Sequence, residues 1–407
     1  MATPHLIELH LLQNFPPSNL NRDDTGSPKD CEFGGYRRAR VSSQSLKRAT
    51  RIHFERLGFL GAEDRGTRTK RIVGWAVDRL AASSGHATTA ALPVVETALA
   101  IAGYGFAEPG ADDPFAKTEY LLFVGEDEVS RLVDLCTRHW DDLVALARAI
   151  NPGGTAKTKL KAAGTAAAKS PAARAIATEL ATVLTSRARA ADVALFGRML
   201  ADRPEANVDA AAQVAHALST NVVSVEFGYY TAVDDRKPED NAGADMIGTV
   251  EFNSACFYRY ANVDVAELRR NVDGDDALAA RTVAAFIEAT VAAVPSGKQN
   301  SFAAYTPPSF VLAVARDGTR WNLANAFARP VAPTAAADLV EGSVARLCNH
   351  WGALTGMYGT RGIGGTWSAA LVPVPAGAFG DAHHAGTVTD LVHGALAACG
   401  LQAPEGA

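Results

Sequence analysis

Eight cations crowd into one short stretch of the chain. Between Asn21 and Arg51 stand Arg22, Lys29, Arg37, Arg38, Arg40, Lys47, Arg48 and Arg51, against four acids, Asp23, Asp24, Asp30 and Glu32. No acid occurs from Phe33 to Phe54. The excess of four positive charges leaves the remainder at −9, because the whole chain carries a formal −5. Lys and Arg release condensed counterions when they neutralise phosphates, so a confined basic block on an acidic chain points to a phosphate backbone.

Asp23 and Asp24, beside this block, are the one carboxylate pair placed for chemistry. Adjacent acids near phosphates can hold Mg²⁺ and cut RNA. They can equally pair with Arg22 or its neighbours and fix the loop. The structural role is preferred, because a hard cation needs more converging oxygens than one dipeptide supplies. No metal or other cofactor is expected. No local nucleophile signature of the GxSxG or CG type is present, and no Walker loop. Gly362-Ile363-Gly364-Gly365 follows a helical stretch, where a dinucleotide fingerprint would follow a strand. The cysteines, Cys31, Cys136, Cys256, Cys348 and Cys399, are scattered, odd in number and without a CxxC pair. That fits a reducing cytoplasm and argues against a zinc site. His383-His384, in a small-residue tail, reads as a surface loop.

The basic block reads as a loop feeding a helix. Gly34-Gly35 permit a tight turn, Ser42 or Ser43 can cap the helix, and Gly58 can end it. Leu46, Ala49, Ile52 and Leu57 fall on an apolar side. Gln44, Lys47, Arg48 and Arg51 recur at helical spacing on the opposite side. Unpaired N–H groups and hydroxyls at the start, then three cations on one face, suit an anion; a plain solvated face is the other reading.

The remaining elements frame this block. His5 to Leu12 alternates as a first strand, with Ile7, Leu9 and Leu11 on one face and Glu8 and His10 on the other, and Pro16-Pro17 ends it. Leu60 to Ala190 is alanine-rich with helical spacing at Arg71–Leu80, Val94–Ala102 and Glu126–Ile150, and a short strand at Tyr120 to Val124. It reads as a helical insertion. Within it, Asn151 to Ala172 carries Lys157, Lys159, Lys161 and Lys169 and reads as a solvated loop. Asp192 to Met199 reads as a return strand, and Asn207 to Thr220 as a helix. Val223, Val225, Phe227, Tyr229, Thr231 and Val233 alternate along a strand, answered by Val250, Phe252, Cys256, Tyr258 and Tyr260 in a second. The connection, Asp234 to Asp245, exceeds the usual hairpin loop. Aromatic ribbons of this kind stack bases or dock on a neighbour, and aromatics are also ordinary strand residues; both readings stand. A helix pair over Val263 to Val294, a turn Pro295 to Asn300, a strand Phe310 to Ala315, a loop Asn322 to Phe327, a helix Ala336 to Met357 and a strand Trp367 to Val372 follow. This order fits an α+β chain with an antiparallel sheet. MATPHLIELH lacks the pattern of a signal peptide, and no apolar run is long enough to span a membrane, so no membrane association is expected.

Several motifs, in order, carry a resemblance: NRDD, KDCEFGGYRRARVSSQSLKRA, ALFGRM, YTAVDD, FYRYANVD, PSGKQNSFAAYTPP and LANAF. From about Leu6 to Phe327 the chain resembles the backbone subunits of type I-E Cascade, the CasC family of the CRISPR RNA-guided surveillance complex. The resemblance implies an RRM-like (ferredoxin-like) antiparallel-sheet palm with a helical fingers insertion and a β-hairpin thumb. It places residues 1–59 in the palm, 60–190 in the fingers, 191–221 in the palm, 222–252 in the thumb and 253–407 in the rest of the palm. It implies a cytoplasmic, non-enzymatic, RNA-binding subunit of an antiviral ribonucleoprotein. Copies would stack in a helical filament along the CRISPR RNA, each thumb folding over a flipped nucleotide, while the exposed guide bases pair with a target DNA strand. The implied partners are CRISPR RNA, target DNA through the guide, other copies of the chain, the large, small and guide-end-capping Cascade subunits, and a recruited helicase-nuclease. Carried over by motif, Arg22, Lys29, Ser42, Gln44, Lys47, Arg48 and Arg51 would contact the RNA backbone. Met199 would wedge beside the kinked base, Tyr229, Tyr230 and Thr231 would lie near it, and Lys298 and Gln299 would form a second polar patch. A metal-dependent endoribonuclease using Asp23 or Asp24 is the alternative.

Overall fold

The computed structural model describes residues 3–107, 115–149, 162, 165, 170–185, 189–200, 204–232, 246–380 and 383–404. In chain order the strands are β1 (Leu6–Ser18), β2 (Asp30–Phe33), β3 (Tyr36–Val41), β4 (Gly66–Thr69), β5 (Phe106–Ala107), β6 (Lys117–Thr118), β7 (Leu122–Gly125), β8 (Ala212–Val214), β9 (Ala217–Ser219), β10 (Glu226–Ala232), β11 (Met246–Asp264), β12 (Phe310–Arg316), β13 (Ile363–Ala370) and β14 (His383–His384). The first helix, α1, is Ser43–Leu57. Contacts divide the chain into two compact units, one of Met1–Phe59, Ala212–Ala266 and Ala279–Ala407, the other of Leu60–Ala211 and Glu267–Leu278. The protein is α+β.

The first unit is built on β1. Its period-two pattern buries both faces, so it lies at the centre of a sheet, antiparallel to β11 on one side and β12 on the other. The sheet order is β14-β13-β12-β1-β11-β9-β3-β2, with β8 and β10 also pairing with β11. Every described pairing is antiparallel except β13 with β14. One sheet face is packed by the helix Leu339–Tyr358, whose Val344, Leu347 and Trp351 meet Leu12, Tyr258, Phe310 and Leu312. Each such buried side chain contributes about 1.5–3 kcal/mol.

Glu8 and His10, the polar alternates of β1, are both fully buried. Glu8 is satisfied by protein donors at both oxygens, and His10 through Nδ1, its Nε2 being buried without a partner among the described residues. Tyr260 Oη donates to Glu8 Oε1 at 2.5 Å, the Trp321 amide donates to the same oxygen at 2.6 Å, and Arg316 donates to Glu8 Oε2 at 3.1 Å. The Leu323 amide donates to Tyr258 Oη, which lies 2.9 Å from His10 Nδ1. Burial, then the Arg316 charge, lowers the His10 pKa to about 3, so the ring is neutral.

In the second unit, Ile72–Ser84, Thr88–Ile101, Glu126–Arg138, Trp140–Ala149 and Pro171–Thr185 are helices around a core that includes Val77, Leu80, Leu99, Leu132 and Leu180. The antiparallel pair β4–β7 joins them. The segment with Lys157, Lys159, Lys161 and Lys169, and the connection 234–245, lie outside the described residues.

Several expectations are corrected. Asp192 to Met199 is not a strand: Ala191–Phe196 is a helix, buried on every side, so its apolar run has no period to read. Asn207 to Thr220 is not a helix: β8 and β9 lie there, because β11 offers backbone partners that override an alanine-rich propensity. Pro16-Pro17 do not end β1, which continues to Ser18 through a register shift after Phe15. The helix expected over Glu126–Ile150 breaks at His139. Asn322 to Phe327 is a short 3₁₀ helix capped by Asn322. Residues 191–211 pack with the helical unit rather than with the sheet. Among the described residues no helix is long and apolar enough to cross a membrane.

Candidate nucleic-acid interface

The loop Asn21–Lys29 is held closed by its own backbone and by one carboxylate. Lys29 N–H donates to Asn21 O, and Asp23 N–H to Ser27 O, both at 2.9 Å. Asp23 Oδ1 accepts from the Thr25 amide and hydroxyl and from the Ser27 amide, at 2.8–2.9 Å. Those bonds, the Thr25 hydroxyl first, hold the Asp23 carboxyl below its ordinary range. Asp23 is therefore the staple of this loop. Among the described residues no group of three or more His, Cys, Asp or Glu side chains gathers to hold a metal.

α1 starts where the loop returns. Ser42 is its N-cap: the Ser42 hydroxyl accepts from the Ser45 amide at 3.3 Å, while the Ser42 amide donates to Asn21 Oδ1 at 2.8 Å. Gly58, at φ 75, ends the helix. Its buried side is Leu46, Thr50 and Phe54, and Ile52, expected inside, is 44% exposed. Leu20–Gly26, Ser45, Ser296 and Gly297 line an open polar cleft of about 500 Å³. Gly297 is needed there, since a Cβ would lie 2.3 Å from the Leu20 carbonyl oxygen. Lys298 follows in the left-handed region at φ 52. The loop, the start of α1 and the Lys298 turn, separated in sequence, thus share one cleft.

The eight cations separate into different roles. Arg38 is fully buried and donates to the carbonyls of Ser219, Thr220, Phe327 and Ala328. It locks β3 to the end of β9 and to the end of the 3₁₀ helix at Phe327, and is not available to a ligand. Arg37 pairs with Asp30. Arg40 donates to the Asp30 carbonyl at 3.2 Å and lies 3.3 Å from His216 Nδ1. Arg22 and Arg48 are exposed and Lys29 is half-buried. Lys47 and Arg51 are half-buried along α1, each with an intramolecular partner. Gln44, exposed, accepts from the Ser43 hydroxyl. Gln299 is corrected as a contact residue: it is buried, and its amide is spent on Pro295 O and on the Ala304 amide and carbonyl. It shapes the turn that presents Lys298.

β10 and the first third of β11 form the aromatic ribbon, with Tyr229 opposite Thr249 and Tyr230 opposite Gly248. Its two faces differ. On one, Tyr230 covers Gly248, where a Cβ would lie 2.5 Å from the ring, and Phe252 covers Gly228, where a Cβ would lie 3.3 Å away. Phe252 also packs against Phe302 at 5.6 Å, which ties this face to the Lys298 turn. On the other face Phe227 and Tyr229 stand 69% and 65% exposed, followed by Thr231. The buried Asn19 amide donates to Gly26 O at 3.0 Å and to Glu251 O at 2.9 Å. Glu251 is the cross-strand partner of Phe227, so one side chain fastens the loop to the ribbon.

Met199 belongs to the helical unit and is 84% exposed. Each residue of Gly197-Arg198-Met199 has a separate task. Gly197 permits the approach of Val208, whose carbonyl oxygen would be 2.8 Å from a Cβ. Arg198 is buried and donates to Ala206 O, Phe123 O and Glu128 Oε1 at 2.7–3.1 Å. Burial raises the Glu128 pKa, and the Arg198 charge opposes that shift. Met199 then projects from a rigid base.

A family model described as CT1975-like protein matches residues 7–392. The chain belongs to that family. Two solved structures resemble the CT1975-like chain over nearly its whole length. One, described as "CRISPR RNA-guided surveillance complex, pre-nicking", is 31% identical at a TM-score of 0.79, over 96% of this chain and 100% of that one. Another, described as "CRISPR RNA-guided surveillance complex", is 26% identical at a TM-score of 0.69, over 96% and 99%. Among curated proteins none matches.

Sequence reading of this CT1975-like chain missed two site residues, His216 and Asn19, and named Phe227 only as one of the ribbon's aromatics. His216, in the turn between β8 and β9, accepts from the Ser43 amide at 3.3 Å, at the head of α1. Partial burial, then Arg40 and Lys29, lowers its pKa. Nothing in the sequence linked His216 to Ser43, 173 residues away. Asn19 lies in a segment without periodicity. Phe227 was legible as a ribbon aromatic, and its period-two relation to Tyr229 was the available signal.

Proposed function

We propose that this chain is the CRISPR RNA-binding backbone subunit of a type I-E Cascade antiviral surveillance complex. The observation that carries the reading is the shared cleft of the Arg22–Gly26 loop, the start of α1 and the turn before Lys298. Three separated polar segments meet along one surface, with Arg22 and Arg48 exposed, which suits a sugar–phosphate strand held without base readout. The sheet order β12-β1-β11-β9, with α1 between β1 and β9 and Asp276–Ala292 between β11 and β12, supports an RRM-like palm. The helical unit would be the fingers, and the β10–β11 ribbon the thumb.

On this reading the chain is not an enzyme and works in the cytoplasm. Copies assemble along the guide in a helical filament, kink it periodically and present its bases to a target DNA strand. The other Cascade subunits, large, small and guide-end-capping, bind this filament, and a helicase-nuclease is recruited afterwards. The endoribonuclease alternative is not favoured, because Asp23 is engaged within its own loop.

Purification from a host carrying a CRISPR array, followed by sequencing of the bound RNA, tests the reading. Array-derived guides of uniform length are expected; random cellular RNA would overturn it. Incubation of the purified chain with labelled RNA and Mg²⁺ is expected to leave the RNA whole. Cleavage abolished by Asp24→Asn would favour the nuclease instead.

A further inference from the structure

Two donors converge on one nitrogen of His216. The Ser43 amide, at the head of α1, and the Arg40 guanidinium, on β3, each lie 3.3 Å from its Nδ1. Neither can accept a hydrogen bond, because a main-chain N–H and a guanidinium only donate. Nδ1 is therefore the acceptor, and in a neutral imidazole the proton then sits on Nε2. A second proton, on Nδ1, would point at two N–H groups and lose both bonds. The charges acting on the ring are Arg40 and Lys29, both positive, and among the described residues no carboxylate opposes them. Partial burial and these two cations lower the pKa, in agreement with the bonding pattern. The ring is thus held neutral and in one tautomer. His216 is an exposed residue, and among the described residues its Nε2–H has no partner.

We propose that His216 grips the bound strand as a neutral donor, its Nε2–H giving a hydrogen bond to a phosphate oxygen. The inference rests on the RNA-binding reading and deepens it by adding a residue whose chemistry differs from that of the cations. Two features select phosphate. The ring stands between Arg40 and Lys29 with no acid acting on it, so the local field favours an anion. It also bonds the first residue of α1, next to Ser42, whose own amide is tied to Asn21 of the cleft loop. A strand lying in that cleft passes the head of α1. Arg40 is then a positioning residue: one end of its guanidinium is fixed by the Asp30 carbonyl, and the other holds the imidazole in its tautomer. A neutral donor adds affinity without displacing a counterion, so its contribution is independent of salt, unlike that of Lys or Arg.

The test uses the full-length chain and single-stranded RNA, titrated over a range of salt concentrations. His216→Phe keeps the ring and removes both nitrogens, whereas His216→Gln returns an amide N–H near the position of Nε2. Affinity is expected to fall about tenfold in His216→Phe and to recover at least in part in His216→Gln. The slope of log affinity against log salt is expected to stay unchanged in both. Nitrogen-15 spectra of the unaltered chain at pH 7 are expected to show the Nε2–H tautomer with and without RNA. Full affinity in His216→Phe would overturn the contact while leaving RNA binding intact. A slope reduced by about 0.7 would mean that the ring binds as a cation, and would overturn the neutral donor. Equal losses in both variants, with a lower urea midpoint in each, would make His216 a structural residue and also overturn it. Failure of the unaltered chain to bind RNA would overturn both readings.

Discussion

Asn19 donates to the main-chain carbonyl of Glu251 at 2.9 Å, across 232 residues of sequence. The same amide holds Gly26 O, so the loop carrying Arg22 and the strand opposite Phe227 move together. Asn19→Ala removes both donors and leaves two carbonyls without this partner. A loss of about 1–3 kcal/mol is expected. Faster hydrogen exchange should follow in residues 22–28 and 226–232, with RNA affinity about tenfold weaker if both surfaces hold one ligand. Unchanged exchange in either segment would show that the two are not coupled through Asn19.

Arg48 and Arg38 should separate binding from folding. Arg48→Ala is expected to leave stability within about 0.5 kcal/mol. It should flatten the dependence of log affinity on log salt by about 0.7, the value of one phosphate contact on a single strand. Arg38→Ala empties a buried position and strips four carbonyls of a shared donor, so a loss of about 3 kcal/mol or more is expected in urea unfolding.

A similar contrast holds at the neighbouring pair Arg198 and Met199. Arg198→Met leaves Glu128 buried without its counter-charge, which costs about 3–5 kcal/mol. Met199, 84% exposed, buries little, so Met199→Ala should leave stability within about 0.5 kcal/mol in urea. Its effect is expected in the bound RNA, where chemical probing should find weaker distortion of the backbone.

His10 gives the stability curve a known sign. The folded ring resists protonation down to about pH 3, whereas an unfolded histidine titrates near 6.5. Between those values the unfolded chain binds one more proton. Stability from this group is complete above about pH 6.5 and falls by about 1.4 kcal/mol for each unit of acidification below it. Urea titrations of wild type and His10→Gln at pH 7.5 and 5 should differ by that slope, with the variant the less pH-sensitive.

Where local chemistry decides structure, the sequence was legible. Ser42 and Gly58 bound α1 because a hydroxyl cap and a left-handed glycine act within one turn. β1 and the ribbon were visible because their alternation is strong. Ala191–Phe196 and β8–β9 were misread for two physical reasons. The first is buried on every side and shows no period, while the alanine-rich run of β8–β9 takes its conformation from β11, far away in sequence. Site residues divided in the same way. The cations of the basic block were countable, but only tertiary packing reveals that Arg38 is spent on four carbonyls. Gln299 looked like a polar contact because its three internal bonds are invisible in a linear string.

The length of β11 has a structural corollary. Its 19 residues begin in the ribbon at Met246 and finish at Asp264, hydrogen-bonded to Leu6 of β1. From Met246 to Phe252 it pairs with β10, and between Phe257 and Val263 it is flanked by β1 on one edge and by β9 and β8 on the other. The ribbon is therefore continuous with the central strands of its unit's sheet. One strand therefore carries both the ribbon and, at Tyr260, the hydrogen bond to Glu8, with the Asn19 tether to the loop lying between them at Glu251.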